Sequence, residues 1–502
     1  MAPHNPASAS PASAESSAPA FEIRETGTVK SVRELIVRVV GLPSCMNGQM
    51  VEFANGARGM VMGFTEHEVQ ILVFGGKGRI RAGDEVYNRG EEFRLPVGEA
   101  FKGRLINALC EPMDGRGPIP SAERYPVFGE APGVMERLPV EATFATGTRI
   151  LDAVIPIAQG QRQLLIGDRM TGKSSIVLDA ILNQKSTGVI CIYCCTGKTY
   201  SGLVKTVRML EARGAMDYTI VVSAPASTSV GEQYLSPYTA CTIGEWFMRH
   251  GHNVFVAFDD LTKHAWIYRQ LSLLLERAPG REAYPGDIFY IHSQLLERAG
   301  HINQELGGGS MTFVPICDIL QGDVTGFVPS NLVSMTDGQI YLSTALFNKG
   351  IKPAIDFGLS VSRIGSKAQW PAMRELSGKL RLEYVQYQEL LQMTQLRTNL
   401  SGEAEAKLKR GEAITSLLVQ DKQQPVPIED QVIQLYALRR GVLDELSAAQ
   451  IKQLKRELPA AVREWAPAAV EELCREKKLS PALKKALDEV LKRYLQQLMG
   501  AA

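Results

Sequence analysis

The spacing of hydrophobic and polar positions changes character three times along this chain. Over residues 21–90, short β-branched runs alternate with turn signals. The runs fall at 28–30, 35–41, 49–53, 59–63 and 69–73, with a hairpin-type Asn55-Gly56 turn between two of them. Five or six strands at this spacing predict a small barrel. From 91 to 370 strand-like and helix-like patterns alternate. An apolar run at 163–166 precedes a helix over 175–182 whose inner face carries Ile176, Val177, Ala180 and Ile181. Further strands are predicted at 189–195, 219–222 and 254–258. Helices lie between them, one with Leu203, Val204, Val207 and Leu210 on a stripe and one over 241–250. Such repetition predicts a parallel sheet with helices on both faces. Beyond 371 the strand signal fades. Amphipathic helices are expected at 383–396, 403–420, 428–443, 448–458 and 481–499, punctuated at 399–402 and 425–427.

The fold class read from this pattern is multidomain α/β. A tail (1–20) precedes an N-terminal β-barrel (21–90), a central phosphate-loop nucleotide-binding domain (91–370) and a C-terminal helical domain (371–502). The tail is Ala, Ser and Pro with almost no charge, a composition that stays mobile. It lacks the arginines of a transit peptide and the apolar centre of a signal peptide, which favours a prokaryotic source.

Composition narrows the function classes. The chain is 45% hydrophobic, as folded proteins are, and its net charge of +1 argues against a dominant nucleic-acid role. No apolar run approaches the ~18 residues needed to span a bilayer, so any membrane role comes through partners. The eight cysteines are scattered. Cys191 and Cys194 form a C-x-x-C within a strand-like run, where residues three apart face opposite ways, so they read as core packing in a reducing setting.

The candidate chemistry starts at Gly167-Asp168-Arg169-Met170-Thr171-Gly172-Lys173-Ser174, followed by Ser175. This is a complete G-x-x-x-x-G-K-[ST] pattern between a strand and a helix. The glycines let backbone N–H groups turn toward phosphate oxygens. Lys173 can reach the terminal phosphates and the Ser174 hydroxyl can ligate Mg²⁺. Asp259 ends an apolar strand and fits the second metal position, while Asp260 suits a helix cap.

Hydrolysis needs a carboxylate to polarise water, often just past the strand beside the phosphate-loop strand. The segment read there, Thr196-Gly197-Lys198-Thr199, has no acid, and none follows until Glu211. An ammonium cannot accept a proton, so the site is expected to hold nucleotide and cleave it slowly. Arg363, in Ser360-Val361-Ser362-Arg363, is a candidate arginine finger for a neighbouring subunit.

Several stretches carry a family resemblance. They are Pro156-Ile157, residues 160–174, 268–277 and 279–287, Asp337-Gly338-Gln339-Ile340 and Ser360-Val361-Ser362-Arg363. On these the chain resembles the α subunits of F-type rotary ATP synthases from about residue 24 to its end. The resemblance implies a head of alternating α and β subunits around a γ rotor stalk, with contacts to δ and the peripheral stalk. It implies Mg-ATP at a non-catalytic, regulatory site. It makes Arg363 a finger for the adjacent β subunit's catalytic site, with Ser360 at the same interface. It maps the adenine pocket onto Lys352, Pro353 and Gln420. A peripheral place on the cytoplasmic face of a bacterial inner membrane follows, in ion-coupled ATP synthesis and hydrolysis.

Several positions depart from the family. Met170 and Lys198 stand where Gln is usual, Lys352 replaces an Arg and Lys422 a Gln. The N-terminal helix that engages δ gives way to the Ala/Ser/Pro tail, and residues 304–310 shorten a longer loop. These mark a divergent paralogue. The alternative is a self-sufficient hexameric phosphate-loop NTPase, Rho-like or a secretion ATPase. Such a protein needs a base carboxylate and, for RNA, an aromatic-studded barrel. A third reading, a structural subunit that has lost nucleotide binding, is opposed by the intact Lys173, Ser174 and Asp259.

Overall fold

The computed structural model describes residues 25–75, 79–394 and 402–500. The tail over 1–20, the last two residues of the 383–396 helix and most of the 399–402 break lie outside these.

The first unit is a closed six-stranded barrel. Its strands are Glu25–Arg33, Ile36–Val40, Gln49–Phe53, Arg58–Phe64, Val69–Val73 and Glu85–Glu92. They pair in the order first, second, fifth, fourth, third, sixth, and the sixth returns to the first. Alternate residues point inward, so Val37, Val39, Val51, Phe53, Val61, Ile71 and Val86 fill the interior. Register shifts at Val29/Ser31, Gln49/Val51 and Val61/Gly63 bend the strands enough to close.

The second unit, from Phe93 onward, is built on a nine-stranded sheet. Across it run Val361–Ser362, Gly338–Leu342, Leu164–Asp168, Ser310–Ile319, Asn253–Asp259, Ile190–Thr196, Thr219–Ala224 and Leu105–Ile106. Neighbours are parallel except Val361–Ser362, which is antiparallel to Gly338–Leu342; the ninth strand, Gly300–His301, pairs antiparallel to Ser310–Ile319. The Ser310–Ile319 strand, absent from the sequence reading, is central. Nine of its ten residues are buried, so it carries no alternation, and Pro315 within it reads as a strand breaker.

This order corrects one premise. The strands beside the phosphate-loop strand are Ser310–Ile319 and Gly338–Leu342, not Ile190–Thr196, which lies three places away. The helix expected over 241–250 also begins earlier and runs Val230–Arg249. Residues 231–248 are all buried, so it has no polar face and no period to detect.

The helical part contains Pro371–Ser377, Leu380–Thr394, Gly402–Leu418, Ile428–Arg439, Ala448–Trp465, Pro467–Glu476 and Pro481–Gly500. Their apolar faces share one core with the sheet. Buried polar contacts fix the register between them. Asp152 accepts from Gln431 Nε2 (2.7 Å), Thr146 N (2.8 Å) and Gly147 N (2.9 Å), and Arg149 Nε donates to Gln434 Oε1 at 2.6 Å. Under the sheet Arg298 and Glu245 form a two-pronged ion pair, Nε–Oε1 2.6 Å and Nη2–Oε2 2.5 Å, with both side chains buried.

Candidate nucleotide-binding site

The phosphate loop leaves the Leu164–Asp168 strand and enters the Lys173–Leu182 helix. Gly167 lies against Leu342, whose carbonyl oxygen would be 2.7 Å from any Cβ there. Met170 and Gly172 both adopt positive φ (65° and 105°), which curls the loop back over the helix N-terminus. That terminus carries partial positive charge and unpaired N–H groups, an anion seat. Met170 projects outward, 91% exposed.

The loop's side chains are braced from several directions. Asp168 accepts from Gly322 N at 2.9 Å and Thr344 Oγ1 at 2.6 Å, and Thr171 Oγ1 donates to Asp168 O at 2.7 Å. Lys173 is buried and folds over its own loop, donating to Gly167 O (2.7 Å) and Asp168 O (2.6 Å). Its third partner is Asp318 Oδ1 at 2.9 Å. Arg169 Nε lies 3.5 Å from Asp318 Oδ2, and its guanidinium lies over the Trp266 ring.

Ser174 and Asp259 come together, and the Lys198 ammonium lies between them. Lys198 Nζ donates to Ser174 Oγ at 2.9 Å and is in close contact with Asp259 Oδ2. Tyr193, at the centre of its strand, donates its hydroxyl to the same Oδ2 at 2.6 Å. Burial and the Asp259 carboxylate hold that phenol far above its usual range. Two hard oxygens suit Mg²⁺ chemically, but that ion demands octahedral oxygens at about 2.0–2.1 Å. As placed, with an ammonium on both oxygens, these residues do not fit Mg²⁺.

Beside the loop opens a cavity of about 470 Å³. Thr148, Gly172, Ser175, Ile176, Phe347, Lys352, Pro353, Gln420 and Lys422 line it. The Lys352 ammonium lies 4.6 Å from the Phe347 ring centre. Gln420 lines the cavity yet spends its amide on structure. It accepts from Arg149 N at 3.1 Å and donates to Gly147 O (2.7 Å) and Gln424 O (2.8 Å). Asp179, also on the wall, accepts from Gln423 N at 2.7 Å, and burial raises its carboxyl to about 6.

Arg363 sits elsewhere. Ser362 pairs with Gly338 at the start of its parallel strand, and Arg363 N donates to Asp337 O at 2.9 Å. Asp337 in turn binds Arg162, ahead of the phosphate-loop strand. Arg363 therefore lies at the opposite end of the sheet from its own phosphate loop. Four to five residues of strand at about 3.3 Å each separate the two. It is exposed and forms no ion pair among the described residues. Ser360, expected at the same interface, is fully buried, and its hydroxyl accepts Tyr341 N–H at 2.9 Å. It positions the segment leading to Arg363 and is not presented outward.

The sequence reading missed Asp318, Tyr193, Phe347 and Asp179. Asp318 had a findable signal. It ends an apolar run, Met311 to Cys317, much as Asp259 ends its own.

Comparison with known proteins gives the family. Residues 22–90 match the ATP synthase alpha/beta family, beta-barrel domain, and 147–362 match its nucleotide-binding domain. Residues 369–494 match the ATP synthase alpha/beta chain, C terminal domain. ATP synthase subunit alpha of Aquifex aeolicus (strain VF5) is 43% identical over 481 residues, 96% of each chain. ATP synthase subunit alpha of Clostridium botulinum (strain Alaska E43 / Type E3) is 43% identical over 477 residues, 94% of this chain and 95% of that one. No helix among the described residues is long and apolar enough to cross a membrane. With a barrel, a phosphate-loop sheet and a helical domain in the matching order, the chain belongs to the ATP synthase alpha/beta family, on its alpha-subunit side.

Proposed function

We propose that the chain is the regulatory, non-catalytic nucleotide-binding subunit of a rotary ATP synthase head. It alternates with β subunits around a γ stalk, with δ and a peripheral stalk completing the assembly. Its place is peripheral, on the cytoplasmic face of a bacterial inner membrane, and ion translocation is coupled through partners. The observation that carries this reading is the separation of Arg363 from the chain's own phosphate loop. An exposed guanidinium at the far end of the sheet can meet a terminal phosphate only on another subunit.

The site's own residues support binding without turnover. The helix N-terminus and Lys173 receive the phosphates, with Lys173 exchanging two carbonyl oxygens for phosphate oxygens. Phe347, Lys352 and Pro353 form the wall on which a base would lie. Three carboxylates at the strand ends are held by cations: Asp259 by Lys198, Asp318 by Lys173, and Asp260 by Lys263 at 3.2 Å. Asp260 also caps its helix through Lys263 N, at 2.8 Å. None of the three is free to take a proton from water. No step of this reading runs through Mg²⁺.

The test uses the chain alone and in a reconstituted head. Alone, it is expected to bind a fluorescent ATP analogue saturably with negligible hydrolysis. In the head, Arg363→Ala should lower multisite turnover by about 10³-fold or more. Unchanged turnover would remove the finger, and rapid hydrolysis by the isolated chain would favour the self-sufficient hexameric NTPase.

A further inference from the structure

Phosphate loops that bind Mg-nucleotide hold the ion through the loop hydroxyl and a strand-end aspartate. Those two groups here are Ser174 and Asp259, and one ammonium already spans them. Lys198 Nζ is 2.9 Å from Ser174 Oγ, touches Asp259 Oδ2, and donates a third hydrogen bond to the Tyr193 hydroxyl oxygen at 3.3 Å. The side chain is tethered. It rises from the turn after the Ile190–Thr196 strand, where Gly197 N donates to Ala224 O and Ala226 N donates to Lys198 O. The turn is also close-packed, since a Cβ on Gly197 would lie 2.9 Å from Lys263 Cδ.

The cation is matched to its seat. Asp259 Oδ2 takes the Tyr193 hydroxyl on one side and the ammonium on the other, so both its neighbours are donors. A divalent ion at the same oxygens would have to expel Lys198 and strip its own water, which Mg²⁺ surrenders reluctantly. Meanwhile the site holds Lys173, Lys198 and Arg169 around one anion seat. Asp318 and Asp259 offset two of these three charges, and arriving phosphates would compete with the carboxylates for the cations.

We propose that the Lys198 ammonium is the built-in cation of this site, standing where other phosphate loops hold Mg²⁺, and that the chain binds adenine nucleotide in metal-free form. The inference rests on the nucleotide-binding reading above and extends it to the state of the ligand. A site of this kind responds to the level of metal-free nucleotide, which falls as free divalent ion rises.

The experiment titrates the full-length chain with a fluorescent ATP analogue, once in EDTA and once in excess Mg²⁺. For the wild type the apparent affinity is expected to be highest in EDTA and to weaken in excess Mg²⁺, because Mg²⁺ withdraws the metal-free nucleotide as its complex. Lys198→Gln empties the seat, and its affinity should weaken in EDTA and recover at least about tenfold on adding Mg²⁺, a step of the size that metal-site changes bring. Lys198→Arg keeps a cation and should weaken in excess Mg²⁺ as the wild type does. Far-ultraviolet circular dichroism checks that each variant is folded. Wild-type binding as tight or tighter in excess Mg²⁺ would overturn the inference and leave the nucleotide reading intact. So would a Lys198→Gln variant that responds to Mg²⁺ as the wild type does. No saturable binding by the wild type in either condition would overturn both.

Discussion

Asp318 Oδ1 lies 2.9 Å from Lys173 Nζ, at the end of the strand adjacent to the phosphate-loop strand. The pair keeps the loop's lysine neutralised while no phosphate is present, but it also places a carboxylate beside an anion seat. Asp318→Asn should therefore tighten nucleotide binding. One unit charge at about 4 Å is worth about 1 kcal/mol in water-like surroundings, or about fivefold in affinity. Lys173→Met should abolish saturable binding. Fluorescence titration of both variants checks the pair, and weaker binding by Asp318→Asn would contradict the assignment.

Arg363 is held in place by its neighbours. Ser362 Oγ donates to Pro156 O at 2.7 Å, and a Cβ on Gly365 would sit 1.7 Å from that same oxygen. Gly365→Ala must push this segment away from Pro156 and displace Arg363 with it. A misplacement of about 1 Å can cost about 10²-fold in rate. Multisite turnover of the assembled head is expected to fall steeply while nucleotide affinity of the isolated chain stays unchanged. A parallel loss of both would mean the substitution damages the sheet as a whole.

The Arg298–Glu245 pair is a prediction about stability. Truncating Arg298 to Ala leaves a buried carboxylate alone, which costs about 3–5 kcal/mol. Replacing both members by Met should recover most of that loss, because the desolvation of both charges is removed together. Urea denaturation midpoints of the single and double variants measure it. A single variant as stable as the wild type would mean that solvent reaches Glu245.

Two buried histidines set a pH dependence. His264 Nε2 donates to the Tyr234 carbonyl at 3.0 Å, so its Nδ1 accepts from His292 Nε2 at 3.3 Å. Burial lowers His264 to about 4 and His292 to about 3, the latter with a further push from His264. The fold keeps both neutral while the unfolded chain protonates them near 6.5, so their contribution is present above 6.5 and is lost on acidification. Asp152, Asp179 and Asp260, raised to about 6 by burial, act in the opposite sense, losing their contribution as pH rises through 6. A difference measurement separates the two. Relative to His292→Gln, the wild type should lose stability at about 1.4 kcal/mol per pH unit between 6.5 and 4. Urea midpoints at several pH values read this slope, and a flat difference would place a proton on the pair in the folded state.

Legibility in the sequence followed the physics of each element. The phosphate loop was readable because chemistry fixes its spacing, and Asp259 was readable as the end of an unbroken apolar strand. The sixth barrel strand, Glu85–Glu92, was not among the readable runs, since only Val86 and Asn88 in it are buried. The Ala448–Trp465 helix runs through Pro459, where the reading stopped one residue short. The Ile428–Arg439 helix ends earlier than expected, as Gly441 turns to φ 75° and the chain re-enters a short 3-10 turn at Val442–Glu445. Lys198 was legible as an added positive charge near the nucleotide, but which oxygens it holds depends on strands far apart in sequence. No local pattern brings Ser174 and Asp259 to the same nitrogen.

Neither of the two larger sheets presents a long free edge. The barrel joins its first strand to its last, and the larger sheet ends on the two-residue segments Leu105–Ile106 and Val361–Ser362. A newly made copy waiting for its companions thus offers little backbone for another chain to zip onto. Recognition between subunits must fall to side-chain chemistry, which a single mutation can retune, and an orphan copy carries little amyloid risk from these margins while it waits.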